Sequence, residues 1–317
     1  MTENFRTIGV VTVGRSDYSH YLPVLRRIQE DDSLRLSLIV SGMHLSPKFG
    51  LSVEIIKADG FEIADQIEML LETDTPSAIA KSIGLGVIGL AQTYARLRPD
   101  VLLLLGDRFE MLAAAIALLP YTIPMAHIAG GEATEGSIDE AIRHSLTKMS
   151  HLHFVSTSHY RQRVIQMGEE PWRFTVSVSP SLDNLSNIQL MSIEELENTL
   201  QVNLHAPPLL VTFHPVTFEH KDTKKHISEL MKALENVALP VIFTYPNADT
   251  CSRIIVEAIE TFVKNHRGSA FFVNLGSMLY FSLMNHSLAM VGNSSSGIIE
   301  AASFKLPEVN IGDRQRG

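Results

Sequence analysis

The sequence contains a single cysteine, Cys251, among its 317 residues. One cysteine excludes an internal disulfide and fits a reducing compartment. The chain also lacks any uninterrupted apolar run of about 18 residues, the length that a membrane-spanning helix requires. Its start, MTENFRTIGVVTVG, has neither the basic flank nor the small-residue cleavage site of a signal peptide. These absences predict a cytoplasmic protein with no membrane partner.

Positive charge is scarce, because 26 Lys and Arg stand against 35 Asp and Glu, which gives a net charge of −9. A general nucleic-acid surface needs a clustered excess of Lys and Arg. We therefore expect no nucleic-acid partner. A few local arginines are still enough to hold a small anion.

Apolar residues make up 45% of the chain, which is sufficient for a substantial core, and 317 residues exceed the usual size of one domain. Short β-branched runs alternate with longer amphipathic runs, which is typical of βαβ units on a parallel sheet. The predicted strands are Ile8–Val13, Leu36–Ser41, Val101–Leu105, Met125–Ile128, His153–Ser156, Leu209–Phe213, Val241–Tyr245, Ala270–Val273, Ala289–Val291 and Glu308–Ile311. The helical runs between them are Tyr18–Glu30, Ser77–Leu97, Glu110–Leu119, Ile138–Met149, Tyr160–Met167, Lys225–Val237, Ser252–Lys264, Met278–Asn285 and Gly297–Phe304.

The segment Arg173–Met191 interrupts this alternation with serine, asparagine and proline, and it is typical of a crossing between domains. We predict an α/β protein with two Rossmann-like domains, residues 1–178 and 179–317. Two similar halves of this kind imply a cleft between them.

Polar chemistry in the first half is concentrated between Leu102 and His144. The apolar run ending at Leu105 is followed by Gly106, Asp107 and Arg108, and the next apolar segment ends in a glycine pair and Glu132. Open α/β sheets present ligand-binding groups where strands end and helices begin. This stretch is therefore the first candidate for a site.

Two further strand-to-helix junctions are suited to anions. In VTVGRSDYSHY, Arg15 lies where a strand ends and a helix begins, and we predict Ser16 or Asp17 as the helix N-cap. In MVGNSSSGIIE, three serines and Gly297 lie at the start of a helix, where hydroxyls and free backbone N–H groups form an anion nest. The lysine of a Walker A loop is missing.

Histidines and one glycine motif need separate interpretation. His214 directly follows a predicted strand, which favours a functional position. His151 and His153 share a strand face, but no carboxylate or cysteine cluster accompanies them, so we expect structural roles and no metal. The motif GLGVIG at Gly84–Gly89 matches a dinucleotide pattern, yet it lies within a helical run, which favours close helix packing.

The segment GGEATEGSIDEAIRH carries several acidic residues that have different explanations. Ser137 and Glu140 have the spacing of a capping box, which would account for both without a function. Glu132 has no such structural explanation. Asp139 and Arg143 lie on the same predicted helix.

Taken in order, the segments GRSDYSHY, GDRFE, HIAGGEATEGSIDEAIRHSLTKMSHLHF, HPVT, YPNAD, GNSSSG and NIGDRQRG resemble the hydrolysing UDP-N-acetylglucosamine 2-epimerases over nearly the whole chain. The resemblance implies a glycosyltransferase-B-like (GT-B-like) arrangement of two Rossmann-like domains, with a UDP-sugar substrate in the cleft and no cofactor or metal. It implies conversion of UDP-N-acetylglucosamine and water to UDP and N-acetylmannosamine, by elimination of UDP to give a glycal and then hydration with inversion at carbon 2. It also implies a cytoplasmic homodimer or homotetramer in sialic-acid-type biosynthesis.

The resemblance assigns roles to individual residues. Asp107 and Asp139 would be the acid–base carboxylates, because removal of a weakly acidic hydrogen requires a positioned carboxylate. Arg108 and His214 would face the phosphates, with His214 also a catalytic candidate, and Glu300 would bind the ribose. The remaining substrate-binding candidates are Arg15, Ser16, Arg143, Leu275, Gly276, Ser294, Ser295, Ser296, Gly297 and Arg314.

Three departures from the family pattern are visible. Many relatives carry a catalytic glutamate where this chain has Ala129, and our hypothesis is that Glu132 does that work. Val178 stands where relatives usually have glycine, and a β-branched residue takes a positive φ with difficulty, so we expect a distorted crossing. The chain ends at Gly317, where relatives continue with helices that close the second domain, which is the pattern of a truncated C-terminal end.

Other functions remain open from the sequence. The same reaction on UDP-N,N′-diacetylbacillosamine, on the way to legionaminic acid, differs only at sugar carbon 4. A GT-B-like glycosyltransferase would need an acceptor groove instead of carboxylates around carbon 2. A nucleotide-binding relative without catalysis is consistent with Ala129.

Overall fold

The computed structural model describes residues 5–316, so residues 1–4 and 317 of the predicted domains lie outside the described part of the chain. By their internal contacts the residues form two compact units. The first comprises the chain up to Ala133 and Ile138–Asn184, and the second comprises Thr134–Ser137 and the chain from Leu185 onward. The change at Asn184 and Leu185 falls within the predicted crossing segment.

The first unit contains a seven-stranded sheet in which every described pairing is parallel, with the strand order β3-β2-β1-β4-β5-β6-β7. Its strands are β1 (Arg6–Thr12), β2 (Leu34–Ser41), β3 (Ile63–Ile67), β4 (Val101–Leu105), β5 (Met125–Ile128), β6 (Leu152–Val155) and β7 (Phe174–Val176). Its helices are α1 (Arg15–Glu30), α2 (Val53–Ala58), α3 (Pro76–Leu97), α4 (Phe109–Leu118), α5 (Asp139–Met149) and α6 (Ser158–Gln166). Helix α7 (Ser181–Asn187) spans the change from the first unit to the second.

The second unit contains a five-stranded parallel sheet with the order β10-β9-β8-β11-β12. Its strands are β8 (Leu209–Thr212), β9 (Val241–Thr244), β10 (Ala270–Phe272), β11 (Ala289–Gly292) and β12 (Glu308–Asn310). Its helices are α8 (Ile193–Leu200), α9 (Thr223–Glu235), α10 (Ser252–Asn265), α11 (Gly276–His286) and α12 (Ser296–Ile299).

Each unit has its own apolar core. In the first unit, β1, β2 and β4 contribute near-continuous buried aliphatic runs, because a parallel sheet is covered on both faces. In the second unit the alternation of side chains along β8 and β9 divides the core into two clusters. Val211 and Phe243 belong to one cluster, and Leu210 and Ile242 belong to the other. The predicted α/β class with two Rossmann-like domains is confirmed.

The predicted strands and helices form with ends that differ by a few residues, except that the predicted helix Gly297–Phe304 is α-helical only as far as Ile299 and is followed by a 3-10 helix over Ala301–Phe304. The sequence prediction missed β3, β7, α2, α7 and α8. Both missed strands are edge strands of the first sheet. An edge strand is covered less completely, so its apolar pattern is weak.

Two predicted helix starts are wrong. Helix α1 has Gly14 as its N-cap, and Asp17 lies inside the first turn, where its carboxylate accepts hydrogen bonds from the Val13 N–H (2.9 Å) and the Thr12 hydroxyl (2.7 Å). Helix α5 has Ile138 as its N-cap without a side-chain cap, so the predicted capping box does not form.

The motif Gly84–Gly89 lies inside α3, as predicted. A Cβ at Gly86 would press on Met69 and Ala113, so this glycine permits close packing. Among the described residues, no helix is both long and apolar enough to cross a membrane.

Candidate active site

The first group of candidate residues lies at the point where strand order reverses in the first sheet. From β1 the chain proceeds to β2 and β3 on one side, and it then continues with β4 on the other. The carboxyl ends of β1 and β4 are followed by Arg15 and Asp107. Such a reversal leaves a crevice at the strand ends, and ligands bind there in open α/β sheets.

Asp107 lies on a tight turn after β4. Gly106 adopts φ +77°, a conformation that favours glycine, and its N–H donates to the Ile128 carbonyl at 3.0 Å. The Asp107 carboxylate forms an ion pair with Arg143 of α5, whose side chain is buried. A second carboxylate, that of Glu140, lies 3.8 Å from Arg143. The structure therefore brings two predicted site residues, Asp107 and Arg143, into direct contact.

Asp139 is the first residue of α5 and is buried. Positions four apart share one face of a helix, so Asp139, Arg143 and Thr147 form one buried stripe. A carboxylate in the first turn of a helix also interacts favourably with the helix dipole. Helix α5 thus supplies both an acidic group and the cation that contacts Asp107.

Glu132 lies in the loop between β5 and α5. Its carboxylate accepts a hydrogen bond from the Ser156 hydroxyl, and burial raises the pKa of Glu132. The loop is held by Arg163, which donates to the Gly131 carbonyl at 2.7 Å. A raised pKa makes the protonated form of this carboxyl group more favourable than in an exposed glutamate.

Ala129 adopts φ +65°, in the left-handed region. Its own N–H donates to the Phe154 carbonyl at 2.9 Å. Backbone strain of this kind costs about 1 kcal/mol or more and concentrates at functional sites. A residue with a single methyl group therefore occupies this strained position.

The two arginines predicted to contact phosphate, Arg108 and Arg15, differ in burial. Arg108 is buried, with its guanidinium 3.4 Å from the fully buried Glu110 carboxylate and over the Phe109 ring. Arg15 begins α1 and is partly exposed, beside the exposed Ser16. Glu110 balances the charge of Arg108. The phosphate role of Arg108 remains a prediction.

The second group lies where strand order reverses in the second sheet, between β8 and β11. His214 follows β8 and is buried. Its main-chain N–H donates to Asn293 Oδ1 at 2.7 Å, and its carbonyl accepts from Asn293 Nδ2 at 2.9 Å. The imidazole Nδ1 accepts from the Asn247 N–H at 3.4 Å and lies 4.0 Å from Asp249. Asn293 therefore fixes the backbone that presents the imidazole.

The predicted anion nest follows β11. Gly292 has φ +148°, and a Cβ there would collide with the Thr212 main chain, so only glycine fits. Ser294 Oγ accepts from the Ser296 N–H at 3.3 Å, while Ser295 is exposed. A Cβ at Gly297 would meet the Glu308 carboxylate, which explains the small residue there.

Other predicted residues of the second unit surround this turn. Glu300 is the C-cap of α12 and is buried, while Leu275 is the N-cap of α11 and Gly276 its first residue. Burial raises the pKa of Tyr280 to about 12, although its hydroxyl bonds with Ser296 and Thr212 oppose this shift. The hydroxyl therefore stays protonated and can donate.

Arg314 is buried, and its guanidinium donates to the Asn293 carbonyl at 3.1 Å. The Gln315 amide donates to the same oxygen at 3.0 Å. Gly136 packs so closely on Asp313 and Arg314 that a Cβ would clash with their backbone. Asn293 thus connects His214 with Arg314.

Three polar residues that support the site were missed: Glu110, His127 and Asn293. Each is almost completely buried. A buried polar side chain is informative because it must be paired, and His127 within the apolar run Met125–Ile128 was the visible signal.

The predicted structural role of His153 fits its stacking on Phe174 and its contact with Glu169 at 3.3 Å. Across residues 5–316, no group of three or more His, Cys, Asp and Glu side chains is arranged to hold a metal ion.

The chain is similar to known proteins in both sequence and fold. A family profile described as UDP-N-acetylglucosamine 2-epimerase matches residues 26–317. The chain is 40% identical over 314 residues to GDP/UDP-N,N′-diacetylbacillosamine 2-epimerase (hydrolyzing) from Campylobacter jejuni, with 98% of this chain and 82% of that protein covered. It is 37% identical over 310 residues to UDP-N,N′-diacetylbacillosamine 2-epimerase (hydrolyzing) from Legionella pneumophila, again with 98% and 82% covered.

The fold is similar to that of a solved UDP-GlcNAc 2-epimerase from Neisseria meningitidis bound to UDP-GlcNAc. The TM-score is 0.81 at 15% identity, with 98% of this chain and 84% of that chain covered. At this identity the similarity shows the shared GT-B-like fold.

Proposed function

This chain belongs to the family of hydrolysing UDP-sugar 2-epimerases, and we propose that its substrate is UDP-N,N′-diacetylbacillosamine. The observation that carries the substrate is the identity, over 98% of this chain, to enzymes named for diacetylbacillosamine: 40% to one named for its GDP or UDP form and 37% to one named for its UDP form. The products would be UDP and the free sugar with inverted configuration at carbon 2. The chemistry at carbon 2 does not depend on the substituent at carbon 4.

The proposed reaction has two steps. A carboxylate takes the hydrogen from carbon 2 as the bond between carbon 1 and the phosphate oxygen breaks, and UDP leaves with that electron pair. Water then adds to carbon 1 of the glycal while a proton returns to the opposite face of carbon 2. Both steps need an acid and a base close to carbon 2.

Three carboxylates in the first unit are the proposed acid–base groups. The ion pair of Asp107 with Arg143 favours an ionised carboxylate, which suits a base. The burial that raises the pKa of Glu132 suits a group that donates a proton. Asp139, at the start of α5, would be the third.

The second unit would hold the nucleotide. Ser294, Ser295, Ser296 and Gly297 would bind the pyrophosphate through hydroxyls and main-chain N–H groups, and His214 would stabilise the negative charge that develops on departing UDP. Glu300 would accept from the ribose hydroxyls. Arg314 and Arg15 would flank the nucleotide, and Leu275 and Gly276 would lie near the uracil.

The direct test is incubation of the protein with each UDP-sugar while NMR follows free UDP and the free sugar. In heavy water the product should carry deuterium at carbon 2, because the proton there comes from solvent. Turnover of UDP-N,N′-diacetylbacillosamine at a higher kcat/KM than UDP-N-acetylglucosamine is the expected result. The reverse preference would favour UDP-N-acetylglucosamine, the substrate that the family's description names.

The role of Glu132 is tested with Glu132→Gln, which keeps the size and removes the ionisable group. Loss of about 10²-fold or more in kcat is expected. Full activity in this variant would exclude Glu132 as the replacement for the glutamate missing at Ala129.

Binding without turnover in the wild type would indicate a non-catalytic relative, and a requirement for an added acceptor would indicate a glycosyltransferase. We also propose a homodimer or homotetramer, which light scattering would test.

A further inference from the structure

His127 is a fully buried histidine in the middle of the first sheet, on β5. Its Nε2 lies 2.7 Å from the Gly106 carbonyl oxygen, and its Nδ1 lies 3.2 Å from the Thr147 hydroxyl. Both ring nitrogens therefore have a partner. Gly106 immediately precedes Asp107 in the chain.

The partners determine the tautomer of the ring. A carbonyl oxygen only accepts hydrogen bonds, so Nε2 must carry the hydrogen. Burial lowers the pKa of His127 to about 4, so the ring is neutral near pH 7. Nδ1 is then an acceptor, and the Thr147 hydroxyl donates to it.

Two neighbouring residues of β5 hold Gly106 from both sides. The Ile128 carbonyl accepts from the Gly106 N–H at 3.0 Å, and His127 donates to the Gly106 carbonyl. The second bond fixes the peptide plane that Gly106 shares with Asp107. Gly106 has φ +77°, and because glycine has more conformational freedom than any other residue, these two hydrogen bonds restrict the turn.

The other side of the ring contacts the helix that carries Asp139 and Arg143. Thr147 is on α5, one helical turn after Arg143, and is fully buried. A Cβ at Gly130 would lie 3.0 Å from the Thr147 hydroxyl and 3.1 Å from His127 Nδ1. Glycine at position 130 therefore leaves room for this hydrogen bond.

We infer that His127 is a positioning residue that joins the Asp107 turn to helix α5 and so fixes the distance between the proposed acid–base carboxylates. This inference rests on the proposed function. His127 does not touch the substrate in this role. Its neutral ring acts as a rigid connector between two elements, one carrying Asp107 and the other carrying Asp139 and Arg143.

The test compares three variants in the full chain. His127→Phe keeps the ring size but removes both hydrogen bonds, and a misplaced Asp107 turn is expected to lower kcat by about 10²-fold at unchanged KM and UDP affinity. His127→Gln can still donate to the Gly106 carbonyl, so it should retain kcat within about tenfold of the wild type. Thr147→Val removes only the second bond and should lower kcat by about three- to tenfold, whereas Thr147→Ser should not.

A second readout is independent of activity. In protein with ¹⁵N-labelled histidine, His127 is expected to show a protonated Nε2 and an unprotonated Nδ1, without titration between about pH 6 and 8. A hydrogen on Nδ1, or titration of this ring near pH 7, would overturn the inference. So would wild-type kcat in His127→Phe, or an equal loss of kcat and UDP affinity in both His127 variants.

Failure of the proposed function would look different. In that case the wild-type chain would turn over neither UDP-sugar, while the tautomer measured by NMR would still decide whether His127 holds the Gly106 carbonyl. If the wild type is active and only the variant pattern fails, the positioning role is wrong and the proposed function stands.

Discussion

Val178 shows how a single residue can keep a conformation that suits glycine. It adopts φ +62° and is about half exposed. The left-handed region costs an L-residue about 1–2 kcal/mol, and a β-branched side chain is among the least suited to it. The expected distortion of the crossing is thus a strained residue within an otherwise continuous chain.

We therefore predict that Val178→Gly stabilises the protein by about 1 kcal/mol, as measured by urea unfolding. The matched control is Val176→Gly, which removes a similarly exposed valine from β7 and should destabilise by about 1 kcal/mol. A lower urea midpoint for Val178→Gly would show that the side chain contributes more than the strain costs.

Asp17 is a buried carboxyl group whose charge is unfavourable in the folded state. Burial raises its pKa from 3.8 to about 6, against hydrogen bonds from Thr12 and Val13 that lower it. Between these two pH values the folded chain binds more protons than the unfolded chain. The contribution of Asp17 to the free energy of unfolding therefore falls as pH rises. The loss is complete above pH about 6 and is on the order of 3 kcal/mol.

Asp17→Asn should remove this dependence, because the amide oxygen can still accept the two hydrogen bonds. The free energy of unfolding of the variant should exceed that of the wild type progressively from pH about 4 to about 6 and stay higher above it. Urea unfolding at several pH values measures the difference. Asp31→Asn is a control in which the change in stability should have the opposite sign. Hydrogen bonds from Ser33 lower the pKa of Asp31, so loss of its charge should lower the free energy of unfolding. A constant difference between Asp17→Asn and wild type across this range would contradict the prediction.

At the scale of elements, the two sheets build their candidate sites in the same way. In each sheet one of the two strands at the reversal of strand order ends at a glycine with positive φ: Gly106 directly follows β4, and Gly292 is the last residue of β11. A polar side chain then bridges to the neighbouring strand end. His127 does so in the first sheet and Asn293 in the second.

Asn293→Ala should weaken UDP binding by about 10- to 100-fold, because it removes both side-chain hydrogen bonds of Asn293 to the main chain of His214. Isothermal titration calorimetry with UDP measures the effect. Asn310→Ala, which removes only an exposed bond to Gly312, should leave UDP affinity unchanged. Equal UDP affinity in Asn293→Ala and wild type would show that this bridge does not shape the nucleotide site.

At the scale of the whole molecule, two separate cores make the response to UDP selective. The residues that we propose to bind UDP lie mostly in the second unit. The core clusters of that unit are distinct from the core of the first unit. Binding to the folded state stabilises it by about 2.7 kcal/mol at a ligand concentration 100 times Kd. The stabilisation should therefore be concentrated in β8 and β11.

Hydrogen exchange with and without UDP tests this expectation. Peptides covering Leu209–His214 and Ala289–Gly297 should gain the most protection, and peptides covering α3 should change little. Inorganic phosphate at equal concentration is the control and should give a weaker response. Protection confined to β1 and β4 would place the nucleotide in the first unit and contradict the proposal.

The sequence by itself determined the α/β class, the buried strands and most of the helices, because these depend on local periodicity. Runs such as Val101–Leu105 are apolar throughout and short, which is typical of a parallel strand that is covered on both faces. The sequence also located Asp107, Glu132, His214 and Ser294 at strand ends. Strand ends are visible wherever an apolar run stops at glycine or a polar residue.

Only the tertiary structure decided which side chains meet. The ion pair of Asp107 with Arg143 joins residues 36 positions apart, and the bonds of Asn293 to His214 span 79 positions. The N-caps of α1 and α5 and the edge strands β3 and β7 were likewise decided by packing. Local patterns record whether a residue is buried or turned, but a contact between distant residues depends on how the sheets assemble, and this information is absent from any short stretch of sequence.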